Sequence, residues 1–161
     1  MFKSIEEEFK QYILSDADLN MALGCTDFLG QLGDPSLKYA NQRQQQAKEL
    51  LKKMQACDTK SFDESLDLEL MTRSIEQDLF FDKLEQHRIA QRRRKPNGVD
   101  GISAGIFQLF VNDERPTHKR LDNILTRLEQ SPGYLTAEAE VIAEPITRWL
   151  QIELTQGEGL P

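Results

Sequence analysis

The 161-residue sequence is poor in the residues that usually carry metal, disulfide or thiol chemistry. It has two cysteines, two histidines and one tryptophan. Cys25 and Cys57 form neither a zinc spacing nor a disulfide framework, so they are expected to be small apolar residues on or near helix faces, in a reducing compartment. His87 and His118 have no His-Glu-x-x-His context. Both are interpreted as surface or half-buried histidines, and no zinc site is predicted in this chain.

Long apolar runs are also missing. The longest weakly polar stretch, Gly101 to Val111, is too short to cross a bilayer. The first ten residues contain Glu6, Glu7 and Glu8 and lack the apolar centre of a signal peptide. The net charge of −7 argues against general nucleic-acid binding. The sequence therefore predicts a soluble cytoplasmic chain with no membrane and no nucleic-acid partner.

Apolar residues recur at helical spacing along most of the chain and predict an all-α fold. The organising element is one long helix from Ser61 to about Arg94, which Ser61 and Glu64 open with a capping-box pattern. Its apolar stripe is predicted to contain Leu68, Met71, Ile75 and Leu79, widened by Leu66, Leu70, Phe80 and Leu84. Shorter helices should pack along it, which gives an antiparallel multi-helix bundle in a single domain, residues 1–161.

Three helices are predicted before the long one. The first ends near Ser15, the second is capped by Asp16 and reaches Phe28 or Leu29, and the third begins at Asp34 or Ser36. After the long helix, a buried helix is expected from about Ser103, with Ile102, Ile106, Leu109 and Phe110 at helical steps.

Two more helices are predicted in the last third. Pro116 opens one with an apolar side formed by Leu121, Ile124, Leu125 and Leu128. Ser131-Pro132-Gly133 is expected to end it, and a last helix is expected from about Tyr134 to Leu154. Pro145 should bend this last helix near Val141, because proline removes a backbone donor.

No catalytic constellation is complete. The pairs Glu76 and Asp82, or Asp113 and Glu114, have no spacing that favours acid–base chemistry over a solvated face. Gly98, Gly101 and Gly105 lack the Lys-Ser/Thr ending of a phosphate-binding loop and are interpreted as turns and close helix contacts. Catalytic, metal and cofactor residues are therefore predicted to be absent from this chain.

One basic cluster contains Arg88, Arg92, Arg93, Arg94 and Lys95, and without it the remainder of the chain carries a net charge of −12. Three interpretations stay open. They are a cation-rich helix C-terminus that interacts with the helix dipole, a docking patch for an acidic partner or anionic ligand, and an RNA contact. The candidate patch for a partner or anion consists of Arg92, Arg93, Arg94 and Lys95.

Several segments together resemble a known bacterial family. They include Ala22-Leu23-Gly24, Leu68-Glu69-Leu70, Gly105-Ile106-Phe107-Gln108-Leu109-Phe110, Arg115-Pro116, Arg120-Leu121-Asp122-Asn123-Ile124 and Trp149. Over most of Asp16 to Pro161 the chain resembles the N-terminal region of the domain-of-unknown-function family numbered 885. Its members are long helical proteins that are similar to zinc metallopeptidases of the zincin type.

The resemblance implies a role without chemistry of its own. Family members are several times longer, and their His-Glu-x-x-His motif lies in a later part, so zinc is expected only in a full-length parent. The chain is then an N-terminal fragment that walls or supports a substrate channel, with the remainder of the parent polypeptide and a peptide-like substrate as partners. Exposed apolar surface is expected at Phe107, Phe110 and Trp149. The alternative is a standalone helical interaction module that uses the basic patch, and the oligomeric state is left open.

Overall fold

The computed structural model describes residues 1–16, 20, 23, 25, 26 and 28–158; within residues 85–92 it describes the backbone alone. Six helices and no strand occur in this part of the chain, which confirms the all-α prediction. The helices are α1 (Phe2–Leu14), α2 (Leu37–Gln55), α3 (Phe62–Arg92), α4 (Gly98–Val111), α5 (Thr117–Val141) and α6 (Thr147–Glu158). None of the described helices is long and apolar enough to cross a membrane.

Helices α1, α2 and α3 form an N-terminal unit with one contiguous apolar core. Helix α2 packs along α3, and α1 packs against both. The buried residues of this core are Phe2, Ile5, Tyr12, Ala47, Leu50, Met54, Met71 and Ile75. Leu68, Leu79 and Cys57 pack against its edge. Burial of such side chains contributes about 1.5–3 kcal/mol each, which makes this core the main source of stability in the unit.

The capping box predicted at the start of α3 is present in a shifted form. The Glu64 amide donates to Ser61 Oγ at 3.2 Å, and the Glu64 carboxylate accepts from the amide of Lys60 rather than from that of Ser61. The predicted widening of the core stripe is wrong, because Leu66, Leu70, Phe80 and Leu84 are exposed. Both α1 and α2 lie on the side of α3 that carries Met71 and Ile75, so the other apolar residues have no covering helix within the described chain.

Helices α4, α5 and α6 form a C-terminal unit in which α4 packs on both α5 and α6. Helix α4 begins at Gly98, five residues before the predicted start at Ser103. Ile102 and Leu109 are buried as predicted, whereas Phe110 is exposed. Asn97 holds the N-cap position and makes no side-chain hydrogen bond there.

Two predicted boundaries in the C-terminal unit are wrong. Ser131-Pro132-Gly133 lies inside α5, where the Ser131 hydroxyl donates to the Arg127 carbonyl and the Thr136 hydroxyl donates to the Pro132 carbonyl, both at 2.9 Å. Each hydroxyl therefore bonds the carbonyl of the residue four positions earlier, so that both side chains follow the helix through the proline. Conversely, Pro145 lies between α5 and α6 and does not bend a continuous helix.

The second predicted helix falls largely outside the described residues. Of its expected end, Phe28, Leu29 and Gly30 form a turn, and Phe28 has a φ of 65° in the left-handed region. Leu29 is buried. The third predicted helix is α2, and Ser36 is its cap, because the Ser36 hydroxyl accepts from the amide of Tyr39. Asp34 instead accepts from the Ser36 amide, so the aspartate orders the turn that leads into the cap.

Candidate functional site

The predicted basic patch lies at the end of α3, where the chain turns towards α4. The side chains of Arg93, Arg94 and Lys95 are exposed. Arg92 closes α3, but its side chain, like those of His87 and Arg88, is outside the described part of the structure. Three of the four predicted patch residues can therefore be placed at the surface, directly after the helix C-terminus.

The backbone of this basic segment, Arg93 to Lys95, is held by the connection between α5 and α6. The Arg93 carbonyl accepts from the amides of Ala143 at 3.0 Å and Glu144 at 3.1 Å, and the Arg94 carbonyl accepts from Ile146 at 2.9 Å. The last carbonyls of a helix have no partner within it, and these amides supply one. Pro145, which has no N–H, occupies the position between the donors. The connection thus fixes the base of the basic segment.

An aromatic side chain also contacts this segment. The Lys95 ammonium lies 5.0 Å from the centre of the Trp149 ring, within the range of a cation–π interaction. Trp149 comes from the first turn of α6 and remains partly exposed. The lysine charge is therefore engaged within the chain, whereas Arg93 and Arg94 project their charges to solvent.

The glycine-spaced segment brings α4 close to α5 and α6. A Cβ added at Gly98 would lie 2.6 Å from Leu135 Cδ2, and one added at Gly101 would collide with the Tyr134 hydroxyl. The Glu153 carboxylate of α6 accepts from the Val99 amide at 2.5 Å and so caps the N-terminus of α4. A carboxylate there is also favoured by the helix dipole. Close helix contact, one of the roles predicted for these glycines, is confirmed for Gly98 and Gly101.

Helix α5 buries polar groups that the sequence analysis did not identify. Arg127 and Glu138 are only 1% and 3% exposed. Arg127 Nε donates to the Leu29 carbonyl at 2.7 Å, and Gln130 Nε2 donates to the Gly30 carbonyl at 2.9 Å. The turn at Phe28 to Gly30 is therefore attached to α5, which connects the N-terminal half of the chain with the C-terminal unit.

The opposite face of α5 is apolar and exposed. Its solvent-facing side chains include Leu121, Leu125, Leu128 and Leu135, which are 54%, 57%, 49% and 42% exposed. The first three of these form the apolar helix side predicted from the sequence, but they face outward, whereas Arg127 and Glu138 face inward. Amphipathic helices of globular proteins normally face the core with their apolar side. In α5 this orientation is inverted.

Exposed apolar residues also lie on α3, α4 and α6. Phe107 and Phe110 of α4 are 60% and 66% exposed, and Trp149 is 39% exposed, as the family resemblance implied; for Phe110 this overrides the burial that the helical pattern of α4 had predicted. On α3, Phe62, Leu70 and Phe80 are exposed as well. Exposed apolar surface, where it is contiguous over more than a few hundred Å², usually marks an interaction site.

Asp113, one of the carboxylates with no spacing for acid–base chemistry, is paired with an arginine. Asp113 forms a 2.6 Å ion pair with Arg115, and the hydrogen bond from Arg115 lowers the pKa of Asp113 below its ordinary value of 3.8. His118 is exposed. Among the described residues, no group of three or more His, Cys, Asp or Glu side chains is placed to hold a metal ion. Cys25 and Cys57 are free, half-buried thiols.

A polar cluster joins the three helices of the N-terminal unit. The Tyr12 hydroxyl donates to Asp78 at 3.0 Å, and the Arg43 guanidinium lies 4.1 Å from the centre of the Tyr12 ring. Arg43 also donates to the Ser15 hydroxyl at 2.8 Å. Burial raises the pKa of Tyr12 above its ordinary value, and the carboxylate of Asp78 adds to this effect. Tyr12 and Ser15 lie at the edge of an open groove of about 580 Å³ between α1 and α2.

These features define an all-helical domain with exposed apolar helix faces and an ordered basic segment. A family model matches residues 19–156, and the chain belongs to that family, described as bacterial protein of unknown function (DUF885). No curated protein and no solved structure matches the chain significantly.

Proposed function

We propose that this chain is a non-catalytic helical domain that packs against further polypeptide in a protein of its family and, with it, walls a substrate channel. The observation that carries the proposal is the amount of apolar side-chain surface left uncovered on α3, α4 and α5. Apolar patches larger than a few hundred Å² are rare on monomeric proteins, because their contact with water is unfavourable. Further protein packed on these faces would remove that cost.

The chemistry of the parent protein is part of the same proposal. Its resemblance to zincin-type metallopeptidases suggests a zinc-dependent peptidase with a peptide-like substrate, whose zinc ligands lie outside residues 1–161. The free thiols of Cys25 and Cys57 support a reducing, cytoplasmic location. No residue of this chain is assigned a catalytic role.

An alternative function has its own supporting observation. The exposed side chains of Arg93 and Arg94 project from a backbone that the α5–α6 connection holds in place. A pair of guanidinium groups carried on such a backbone suits recognition of carboxylates or phosphates. The chain would then be a standalone interaction module that binds an acidic partner. Charge reversal at Arg93 and Arg94 would abolish such binding and leave a channel wall unaffected.

Hydroxyl-radical footprinting tests the leading proposal. The native open reading frame is expressed in full and compared with isolated residues 1–161, with zinc content and peptidase activity measured on the full product. We expect a longer product in which Phe107, Phe110 and Trp149 are protected from oxidation, although they react in residues 1–161. Met54 and Met71 in the N-terminal core serve as internal controls and should be protected in both. Equal oxidation of the three aromatic residues in both proteins would contradict the proposal.

A further inference from the structure

The exposed face of α5 has the spacing of a coiled-coil seam. Its solvent-facing apolar residues follow one another at alternating steps of four and three, and we call them the α5 stripe: Leu121, Leu125, Leu128, Pro132 and Leu135. A 4–3 alternation repeats every 3.5 residues on average and is the pattern by which one helix packs its side chains between those of another. The spacing therefore indicates a helix as the partner of this face.

One side of the α5 stripe is already covered and the other is acidic. Helix α4 lies on the first side, where Gly98 approaches Leu135 and Glu138. On the open side, Asp122 and Glu129 follow the first and third leucines of the stripe and are exposed, and we call them the acidic flank. No ion pair between described residues involves either carboxylate. In a coiled coil these flanking positions select the partner by charge.

We propose that the α5 stripe binds an amphipathic helix whose apolar seam carries lysine or arginine beside it, facing Asp122 and Glu129. The stripe supplies the apolar contact, and the acidic flank sets the orientation and the charge of the partner. This inference rests on the proposed function, in which further protein covers the exposed apolar faces. It adds the secondary structure and the charge of that protein.

A second copy of the chain is a poor occupant of the same face. In a two-fold symmetric pair the same patch serves both partners. Antiparallel packing of α5 on itself would place the acidic flank of one copy against that of the other, and like charges at facing positions are destabilising. The charges therefore favour a basic helix over self-association.

Two synthetic peptides of about three heptads test the proposal. Both carry leucine at the seam positions, and they differ only in lysine or glutamate at the flanking positions. Binding to the chain is measured by fluorescence anisotropy at low and high salt. We expect the lysine peptide to bind at least about tenfold more tightly than the glutamate peptide, with the difference decreasing as salt screens the exposed charges.

Variants of the chain separate the two components. The double variant Asp122→Lys, Glu129→Lys should reverse the preference between the peptides, and Leu125→Ser with Leu128→Ser should weaken binding of both. Leu70→Ser, a similarly exposed leucine on α3, is the matched control and should leave binding unchanged. Circular dichroism checks that each variant is folded; because the replaced side chains are exposed, no loss of helix is expected.

Several outcomes would overturn the proposal. These are equal affinity for the two peptides, no effect of the leucine replacements, and a dimer of the chain that Leu125→Ser dissociates. Failure here is distinct from failure of the proposed function. Selective peptide binding with no protection of Phe107 in the full product would support the α5 stripe as a helix-binding face and contradict the proposed function. Protection of Phe107 without selective peptide binding would support the proposed function and contradict helix binding by the α5 stripe.

Discussion

The helices of the N-terminal unit and those of the C-terminal unit pack in different ways. The N-terminal unit buries apolar residues from three helices in one core, which includes Ala47 and Ile75 at no measurable exposure. The C-terminal unit brings its helices together through glycines at Gly98 and Gly101 and buries Arg127 and Glu138 on α5. Its leucines on α5 face solvent. The first unit therefore has one apolar core and leaves exposed apolar residues on the outer side of α3, whereas the second unit leaves the leucines of α5 and the aromatic residues of α4 exposed.

The largest expected effect breaks the N-terminal core. Ile75→Ala truncates a fully buried side chain of this core, and should lower the free energy of unfolding by about 2–5 kcal/mol through lost burial and a residual cavity. Leu70→Ala on the same helix, where the side chain is 58% exposed, should change it by less than about 0.5 kcal/mol. Urea unfolding measures both variants.

Amide hydrogen exchange on Ile75→Ala sharpens the contrast between the units. Protection should fall in α1 to α3 more than in α4 to α6, because the described contacts between the units are few compared with those within them. An equal loss of protection in both units would show that they unfold as one cooperative body.

The next effect concerns the buried polar face of α5. Arg127→Met keeps a long apolar side chain but removes the donor to the Leu29 carbonyl, and should cost about 1–3 kcal/mol. Cleavage by chymotrypsin near Phe28 should become faster, because the turn detaches from α5 and the protease itself does not depend on the replaced arginine. Arg148→Met, an exposed arginine on α6, is the control and should change neither stability nor cleavage. Unchanged cleavage in Arg127→Met would show that Leu29 holds the turn without the arginine.

The helices were predictable from sequence, but the faces that they bury were less so. Periodicity located α1, α2 and most of α3, because each has apolar residues at steps of three and four. On α3 the same periodicity produced two apolar lines, and only the line through Met71 and Ile75 is covered. The spacing of apolar residues alone does not predict which face of a helix a neighbouring helix will cover.

In the candidate site, the charge pattern of the sequence predicted the basic segment, and the family resemblance predicted the exposed aromatic residues Phe107, Phe110 and Trp149. It missed Arg127 and Glu138, because charged residues are normally expected at the surface. The sequence did contain a signal for this arrangement, because the leucines of α5 recur at 4–3 spacing and polar residues recur at similar spacing on the opposite side of the helix. Only the tertiary contacts show that the polar face points inward. Pro145 was misplaced for a related reason, since its break in the helix is stabilised by hydrogen bonds to the distant carbonyls of Arg93 and Arg94.

The smallest expected effect at neutral pH comes from the polar cluster at the edge of the N-terminal unit. Tyr12→Phe keeps the buried ring but removes the hydroxyl bond to Asp78, and should cost about 0.5–1.5 kcal/mol. Burial raises the pKa of Tyr12 above its ordinary value of 10.0, so above that pH the unfolded chain loses a proton that the folded chain keeps. The folded state then binds more protons than the unfolded state, and stability must fall as the pH rises.

This decrease should begin as the pH approaches 10.0 and should be weaker in Tyr12→Phe, which has no phenol to titrate. Urea midpoints of both proteins between neutral pH and about pH 11 measure the difference, the upper limit being set above the ordinary tyrosine pKa. Parallel pH dependences would show that Tyr12 does not hold its proton more tightly in the folded chain. A steeper fall in the wild-type chain would show that the stability of the N-terminal unit depends on the protonation of the Tyr12 hydroxyl, although its core is built from apolar side chains.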